Sequence, residues 1–230
     1  NGSESEKKTI KKLKKDFEKK ESNEILQSVI MSGYDIKKLI NHDLLRKTES
    51  LKVKSLKPKL KIKNQFNSGR CWLFADLHPA SQLVARKYGL QNSFYFSSSY
   101  LYFWHKFESA KTSLKYFNMH RTKDINDYPL CNLTESPILE GGYCNHAANL
   151  IDIYGLIPND QYNEVYYSKN PGQMKKILKS HIRYSMYLIK NAETQQDADE
   201  LVNKGIQKIF ETLCHFLGTP PSTIKFQDTV

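Results

Sequence analysis

Asn64-Gln65-Phe66-Asn67-Ser68-Gly69-Arg70-Cys71-Trp72-Leu73-Phe74 is the stretch on which the reading of this chain turns. A Gln stands six residues before a Cys, Gly and Arg lie between them, and an apolar, helix-like run follows. Gly69 permits a tight turn, and the spacing predicts that Cys71 opens a helix. A thiol at a helix N-terminus lies at the positive end of the macrodipole, which favours thiolate over thiol. The Gln65 amide can reach back toward the same point. There its N–H, with the Cys71 backbone N–H, would stabilise an oxyanion formed when sulfur attacks a carbonyl. Cys71 is thus the candidate nucleophile, Gln65 the candidate oxyanion-hole residue, and a base is still required.

Working outward, the apolar periodicity predicts helices over 98–116, 145–154, 173–191 and 197–217. Ser97 or Ser98 caps the first of these, and Gly155 and Gly218 stop the second and the last. Ile177, Ile182, Met186 and Ile189 form one core stripe, and Leu201, Ile206, Ile209, Leu213 and Phe216 form another. Pro79, two turns into the Cys71 helix, should kink or end it. Residues 120–140 read as a loop. Two short helices are expected over 24–31 and 35–44, an edge strand with a basic face over 51–63, and a strand start at 224–226.

The net charge of +11 is uneven: residues 1–63 hold 18 Lys and Arg against 9 Asp and Glu. A solvated helix face is the plain reading of that basic arm, and binding to nucleic acid or another polyanion is the sharper one. The hydrophobic fraction of 39% suffices for a core, and no apolar run approaches the ~20 residues of a membrane span. The Lys-rich start has no apolar stretch after it and does not read as a secretory signal. Cys71, Cys131, Cys144 and Cys214 show neither C-x-x-C nor zinc spacing, so reduced thiols in a cytoplasmic protein are expected, with no metal and no cofactor.

The segment around Cys71 resembles the active-site segment of papain-like cysteine peptidases, and within them the bleomycin hydrolase (aminopeptidase C) branch. Four further segments resemble that branch in the same order: Ser99-Tyr100-Leu101-Tyr102-Phe103-Trp104 with Lys106 and Glu108, Glu140-Gly141-Gly142, Tyr154-Gly155-Leu156-Ile157-Pro158, and Leu217-Gly218-Thr219-Pro220-Pro221. The resemblance runs over about residues 20–228 and covers about the first half of the family's polypeptide. It implies an α+β, papain-like cysteine peptidase fold: the helix-rich left half with a helical insertion, the right-hand β domain being missing. The implied domains are a basic N-terminal helical extension (1–50), the left domain with the nucleophile helix (51–160) and the helical insertion (161–230).

By the same resemblance Cys71 is the nucleophile, Gln65 the oxyanion-hole donor, and Gly141, Gly142 and Trp72 line the substrate cleft. Peptide or amide substrates and a homohexamer are implied for the complete protein. The family's catalytic His and its Asn, in an Asn-Ser-Trp-Gly-like segment, lie in the second half, and neither Trp72 nor Trp104 follows Asn-Ser. This chain is therefore expected to hold no catalytic His or Asn and to be inactive alone. Of its histidines, His105, His181 and His215 read as surface or satisfied core residues, and only His146 falls near the cleft. Asp76, Pro79 and Tyr143-Cys144 depart from the branch, where Gln-Trp follows the Gly pair. They favour an alternative reading, a truncated, inactive paralogue acting as a binding partner. A basic module for nucleic acid is a third.

Overall fold

A computed structural model describes residues 11–12, 14–19, 27–28, 31–32, 59–90 and 94–222. The chain divides into two compact units, residues 1–54 and 55–230. In the first unit residues 14–18 are helical with exposed side chains, and Lys19 stands 3.6 Å from Asp16 on that surface. The predicted helix over 35–44, the strand residues 51–58 and the strand start at 224–226 lie outside the described residues.

The second unit contains, among its described residues, seven helices: α1 Cys71–Tyr88, α2 Ser98–Met119, α3 Leu130–Glu135, α4 Cys144–Tyr154, α5 Tyr166–Lys169, α6 Gly172–Lys190 and α7 Gln195–Leu217. Helix α2 is the hub and packs against α1, α3, α4, α6 and α7. Its first six residues, Ser98 to Phe103, are all buried, as expected for a helix enclosed on every side. Ser97 caps it by accepting from the Tyr100 N–H at 3.1 Å and donates to the Tyr162 carbonyl at 2.6 Å.

Helices α6 and α7 form the predicted pair. The buried stripe of α6 runs through Met174, Leu178, Ile182, Met186 and Ile189, so Leu178 takes the central place expected of Ile177, which is half-buried. In α7 the stripe is Ala198, Val202, Gly205, Ile209, Leu213 and Leu217, with Leu201, Ile206 and Phe216 on its flanks. Gly205 brings α7 close to α2 and α6, since a Cβ there would lie 2.9 Å from both Leu114 Cδ1 and Ser185 Oγ.

Three expectations are corrected. Of the two outcomes expected at Pro79, a kink or an end, the end does not occur: helix α1 runs through it from Cys71 to Tyr88, 18 residues in all. The carbonyl that Pro79 cannot serve, that of Ala75, belongs to an exposed residue, so water can take the place of the missing donor. The stretch 120–140 is not all loop, because α3 forms within it. No strand occurs among the described residues, and the β part of the α+β expectation therefore has no counterpart there. Residues 59–63 are held by single contacts rather than a ladder: Lys63 Nζ donates to Asn159 Oδ1 at 2.8 Å, and Tyr95 Oη donates to the Lys61 carbonyl at 2.8 Å. The nearest approach to a sheet is one antiparallel bridge between Phe96 and Pro158. No helix among the described residues is long and apolar enough to cross a membrane.

Candidate active site

The turn before α1 is set by short polar side chains and two left-handed residues. Asn64 Oδ1 accepts from the Phe66 N–H at 2.7 Å, and the Gln65 carbonyl accepts from the Ser68 N–H at 3.2 Å and Ser68 Oγ at 2.5 Å. Phe66 has φ 51° and Gly69 φ 67°. Gly69 is needed twice over, since a Cβ there would also lie 3.2 Å from the Glu140 carbonyl oxygen.

Arg70 is fully buried. Its guanidinium grips Glu164 through two bonds, Nη1 to Oε1 at 2.8 Å and Nη2 to Oε2 at 2.9 Å, and its Nε donates to Ser68 Oγ at 2.8 Å. Ser98 and Ser168 hydroxyls also donate to Glu164, at 2.8 and 2.7 Å. Burial alone would raise the Glu164 pKa, but the Arg70 bonds overcome it and hold the carboxyl at about 2. Cys71 follows as the first residue of α1, exposed, its thiol without a hydrogen-bond partner among the described residues.

Trp72 is buried, and its indole lies against Gly142 so closely that a Cβ on Gly142 would stand 2.6 Å from Cε2. The structure thus joins the Cys71 turn to the segment 139–142 at two points, Gly69 on Glu140 and Trp72 on Gly142. Gly141 is exposed with nothing near its Cβ position. Gln65 is half-buried, and its Oε1 is buried without a partner.

The segment 137–140 is tied down from two sides. From α2, Ser113 Oγ donates to the Pro137 carbonyl at 2.7 Å, Ser109 Oγ accepts from the Leu139 N–H at 2.8 Å, and Lys106 Nζ donates to the Leu139 carbonyl. From α6, Lys175 and Lys179 pair with Glu140 at 2.6 and 2.8 Å. Burial works against the Glu140 charge, and these two lysines hold its pKa at about 2.

Lys106 is fully buried, and desolvation, opposed by Glu140 and reinforced by Lys175 and Lys179, lowers its pKa to about 8. Between that value and its unfolded value of ~10.4 the unfolded chain binds the extra proton, so folding stability rises with pH through this window. The rise attributable to Lys106 is expected to be about 2–3 kcal/mol. Urea midpoints measured from pH 7 to 10.5 should show it in the native protein and lack it in Lys106→Met. An identical pH profile in both would refute the assignment.

The histidines need one correction. His105, expected at the surface or satisfied, is buried with both ring nitrogens unpaired, and desolvation first, then Lys106 and His146, lowers its pKa to about 3. It stands edge-on to Trp72 at 4.8 Å, and His146 lies 6.2 Å from the same ring. Two imidazoles therefore flank Trp72 where the sequence pointed to one. His181 Nδ1 is 3.0 Å from Thr212 Oγ1, and His215 is exposed. A groove of about 420 Å³ opens between α2 and α4 beside His105 and His146, but neither Gln65 nor Cys71 lines it.

Two of the unusual residues meet. The Asp76 carboxylate lies near enough to the exposed Cys144 thiol to raise its pKa, and Asp76 Oδ2 is buried without a hydrogen-bond partner. Sequence reasoning had no pairing for either residue and did not single out Glu164. A signal for the latter was present: Arg70, set between a turn and an apolar helix, needs a carboxylate if buried. Among the described residues no group of three His, Cys, Asp or Glu side chains could hold a metal ion.

The chain is 30% identical over 175 residues to bleomycin hydrolase of Gallus gallus and 27% identical over 168 residues to aminopeptidase C of Listeria monocytogenes, each match covering 73% of this chain. It spans only 38% of the length of either relative. The crystal structure of PepW from Lactobacillus rhamnosis HN001 superposes with a TM-score of 0.72 at 21% identity, over 96% of this chain and 49% of that one, which supports the shared fold. Residues 4–229 match the family model described as Peptidase C1-like, and on that near-complete match the chain belongs to the Peptidase C1-like family.

Proposed function

We propose that this chain is the nucleophile-bearing half of a cysteine aminopeptidase of the bleomycin hydrolase type. The observation that carries the reading is the exposed Cys71 at the start of α1, with Trp72 beside it seated on Gly142. In this reading the Cys71 thiolate attacks a peptide or amide carbonyl. The Gln65 amide and the Cys71 N–H receive the oxyanion, and Gly141, Gly142 and Trp72 form the wall along which the substrate lies. The C–N bond breaks, the amine leaves with a proton from a histidine, and water hydrolyses the thioester. That histidine and its Asn belong to the half of the family's fold that carries the right-hand β domain. Residues 1–50 form the basic extension, 51–160 the left domain and 161–230 the insertion. The complete protein is a cytoplasmic homohexamer, with weak nucleic-acid binding through the basic extension.

A second reading, an inactive paralogue that acts as a binding partner, is supported by Asp76 and Cys144, two residues foreign to the branch that lie near enough for the carboxylate to raise the thiol's pKa. Alkylation separates the two. The 230-residue chain is incubated with a peptidyl epoxysuccinate, and modified cysteines are mapped by mass spectrometry. The first reading expects saturable labelling of Cys71 well ahead of Cys131, Cys144 and Cys214, abolished in Cys71→Ser. Labelling of Cys71 no faster than Cys144, and without saturation, would overturn it in favour of the second. Hydrolysis of aminoacyl amides by this chain alone is expected to be undetectable under both.

A further inference from the structure

The turn that carries Gln65 and Cys71 is braced by a segment of the same compact unit that lies 94 residues further along the chain at the Arg70–Glu164 contact. Glu164 holds Arg70 by two bonds, with Ser168 and Ser98 completing the carboxylate's partners. The Lys169 carbonyl accepts from the Asn67 N–H at 3.1 Å, Asn67 Nδ2 reaches Asn170 Oδ1 at 3.3 Å, and Lys169 Nζ lies 5.5 Å from the centre of the Phe66 ring. Every residue from Phe66 to Ser68, and Arg70 after the glycine, is tied directly or through one side chain to residues 164–170. The segment is itself fixed: Tyr162 Oη donates to the Gly218 carbonyl at 2.8 Å, its own carbonyl accepts from Ser97 Oγ, and Tyr167 packs edge-on against Phe216 at 4.8 Å.

We infer that residues 162–170, centred on Glu164, position the oxyanion-binding turn of the thiol centre, so that the geometry of Gln65 and of the Cys71 N–H depends on the α6–α7 pair to which the segment is anchored. Glu164 is a positioning residue: it touches Arg70, not the reacting atoms. The inference rests on the proposed thiol-nucleophile reading. Physically, the turn's own hydrogen bonds join Asn64 to Phe66 and Gln65 to Ser68 but leave the Arg70 Nη groups to be fixed from outside, and an error of ~1 Å at such a site costs up to ~10²-fold in rate.

The test compares two reagents at Cys71. A peptidyl chloromethyl ketone reacts by addition of the thiolate to a carbonyl carbon, which puts negative charge on oxygen before the sulfur ends on the methylene carbon and chloride leaves. Iodoacetamide reacts by direct displacement of iodide and forms no oxyanion. In Glu164→Gln, which keeps the shape and removes the charge, the limiting rate with the chloromethyl ketone is expected to fall ~10–100-fold. The iodoacetamide rate should stay within about two-fold, and Glu164→Asp should recover part of the loss. Ser168→Ala, a milder change that loses one donor to Glu164, should show the same split at ~3–10-fold and serves if Glu164→Gln does not fold. Equal falls with both reagents, or no fall with either, overturn the positioning role. Amide exchange at residues 65–70 gives a readout independent of chemistry. It should quicken ~10-fold or more in Glu164→Gln while α6 and α7 stay protected, and unchanged exchange also overturns the inference. A native chain that shows no selective labelling by the chloromethyl ketone, yet the expected change in exchange, would instead sink the nucleophile reading and leave the brace standing.

Discussion

Arg70→Leu is expected to lower folding stability by ~3–5 kcal/mol, a large share of a typical domain's margin of ~5–15 kcal/mol. The reason is what the substitution leaves behind. Glu164 keeps only the hydroxyls of Ser98 and Ser168 as donors, within a site built around a guanidinium that no solvent reaches. Leucine supplies volume but no charge, and the carboxylate must remain uncompensated or take up a proton. Urea unfolding followed by helical signal measures the loss. Arg70→Leu/Glu164→Leu should recover most of it, because removing both charges also removes the desolvation cost that the pair carries. A double variant no more stable than Arg70→Leu would show that the hub acts through packing and not through charge.

The same hub dictates an acid response. Glu164 is held at about 2 when folded, against an unfolded value of ~4.3. A depressed carboxylate contributes stability that is fully present above the unfolded value and is lost as pH falls through the folded one. About 3 kcal/mol should therefore be lost progressively between about pH 5 and pH 1 in the native protein, most of it between pH 4.5 and 2. Glu140 titrates over the same range but is half exposed, so the difference between native and double-variant profiles reports Glu164.

What the sequence disclosed and what it hid follow from range. The helices α2, α4, α6 and α7 were legible because periodicity and caps are local: Ser97, Gly155 and Gly218 mark ends that a window of four residues can read. In α6 Ile182, Met186 and Ile189 are buried as expected, and only Ile177 gives way to Leu178, since the two are equally apolar and only the partner helix decides which faces it. Pro79 misled because the loss of one hydrogen bond does not by itself end a helix, and here the residue left without its donor, Ala75, is an exposed one. At the site, Cys71, Trp72 and the Gly pair were readable as a motif, whereas Glu164, 94 residues from Arg70, was not. Nor was the meeting of Asp76 with Cys144, two departures from the branch that only a folded chain brings together. A buried ion pair of this separation leaves no periodic trace, and a lone sequence offers no covariation to reveal it.

The two glycines of the Gly141–Gly142 pair should behave in opposite ways. Gly142→Ala places a methyl carbon 2.6–2.8 Å from three atoms of the Trp72 indole, a distance at which something must move. The ring cannot tip away freely, because it is buried with His105 edge-on at 4.8 Å behind it. The backbone cannot retreat freely either, since Ser113, Ser109 and Lys106 hold residues 137–139 from one side and Lys175 and Lys179 hold Glu140 from the other. Overpacking of this kind is expected to cost ~1–3 kcal/mol. Trp72→Leu/Gly142→Ala should restore a part of it, with a coupling of ~0.5–3 kcal/mol between the two sites. Gly141→Ala meets nothing within 4 Å and should change stability by less than ~0.5 kcal/mol. If a peptide backbone lies along this wall, however, the new methyl group at residue 141 stands in its path. Labelling of Cys71 by a peptidyl epoxysuccinate should then weaken in Gly141→Ala through poorer binding, with the iodoacetamide rate unchanged. Equal stability loss at both positions would mean that the Trp72 contact does not set the geometry of the pair. Unchanged peptide labelling in Gly141→Ala would mean that the substrate runs elsewhere. The two glycines therefore differ in what they make room for: the missing Cβ of residue 142 admits the Trp72 indole, and that of residue 141 faces open space.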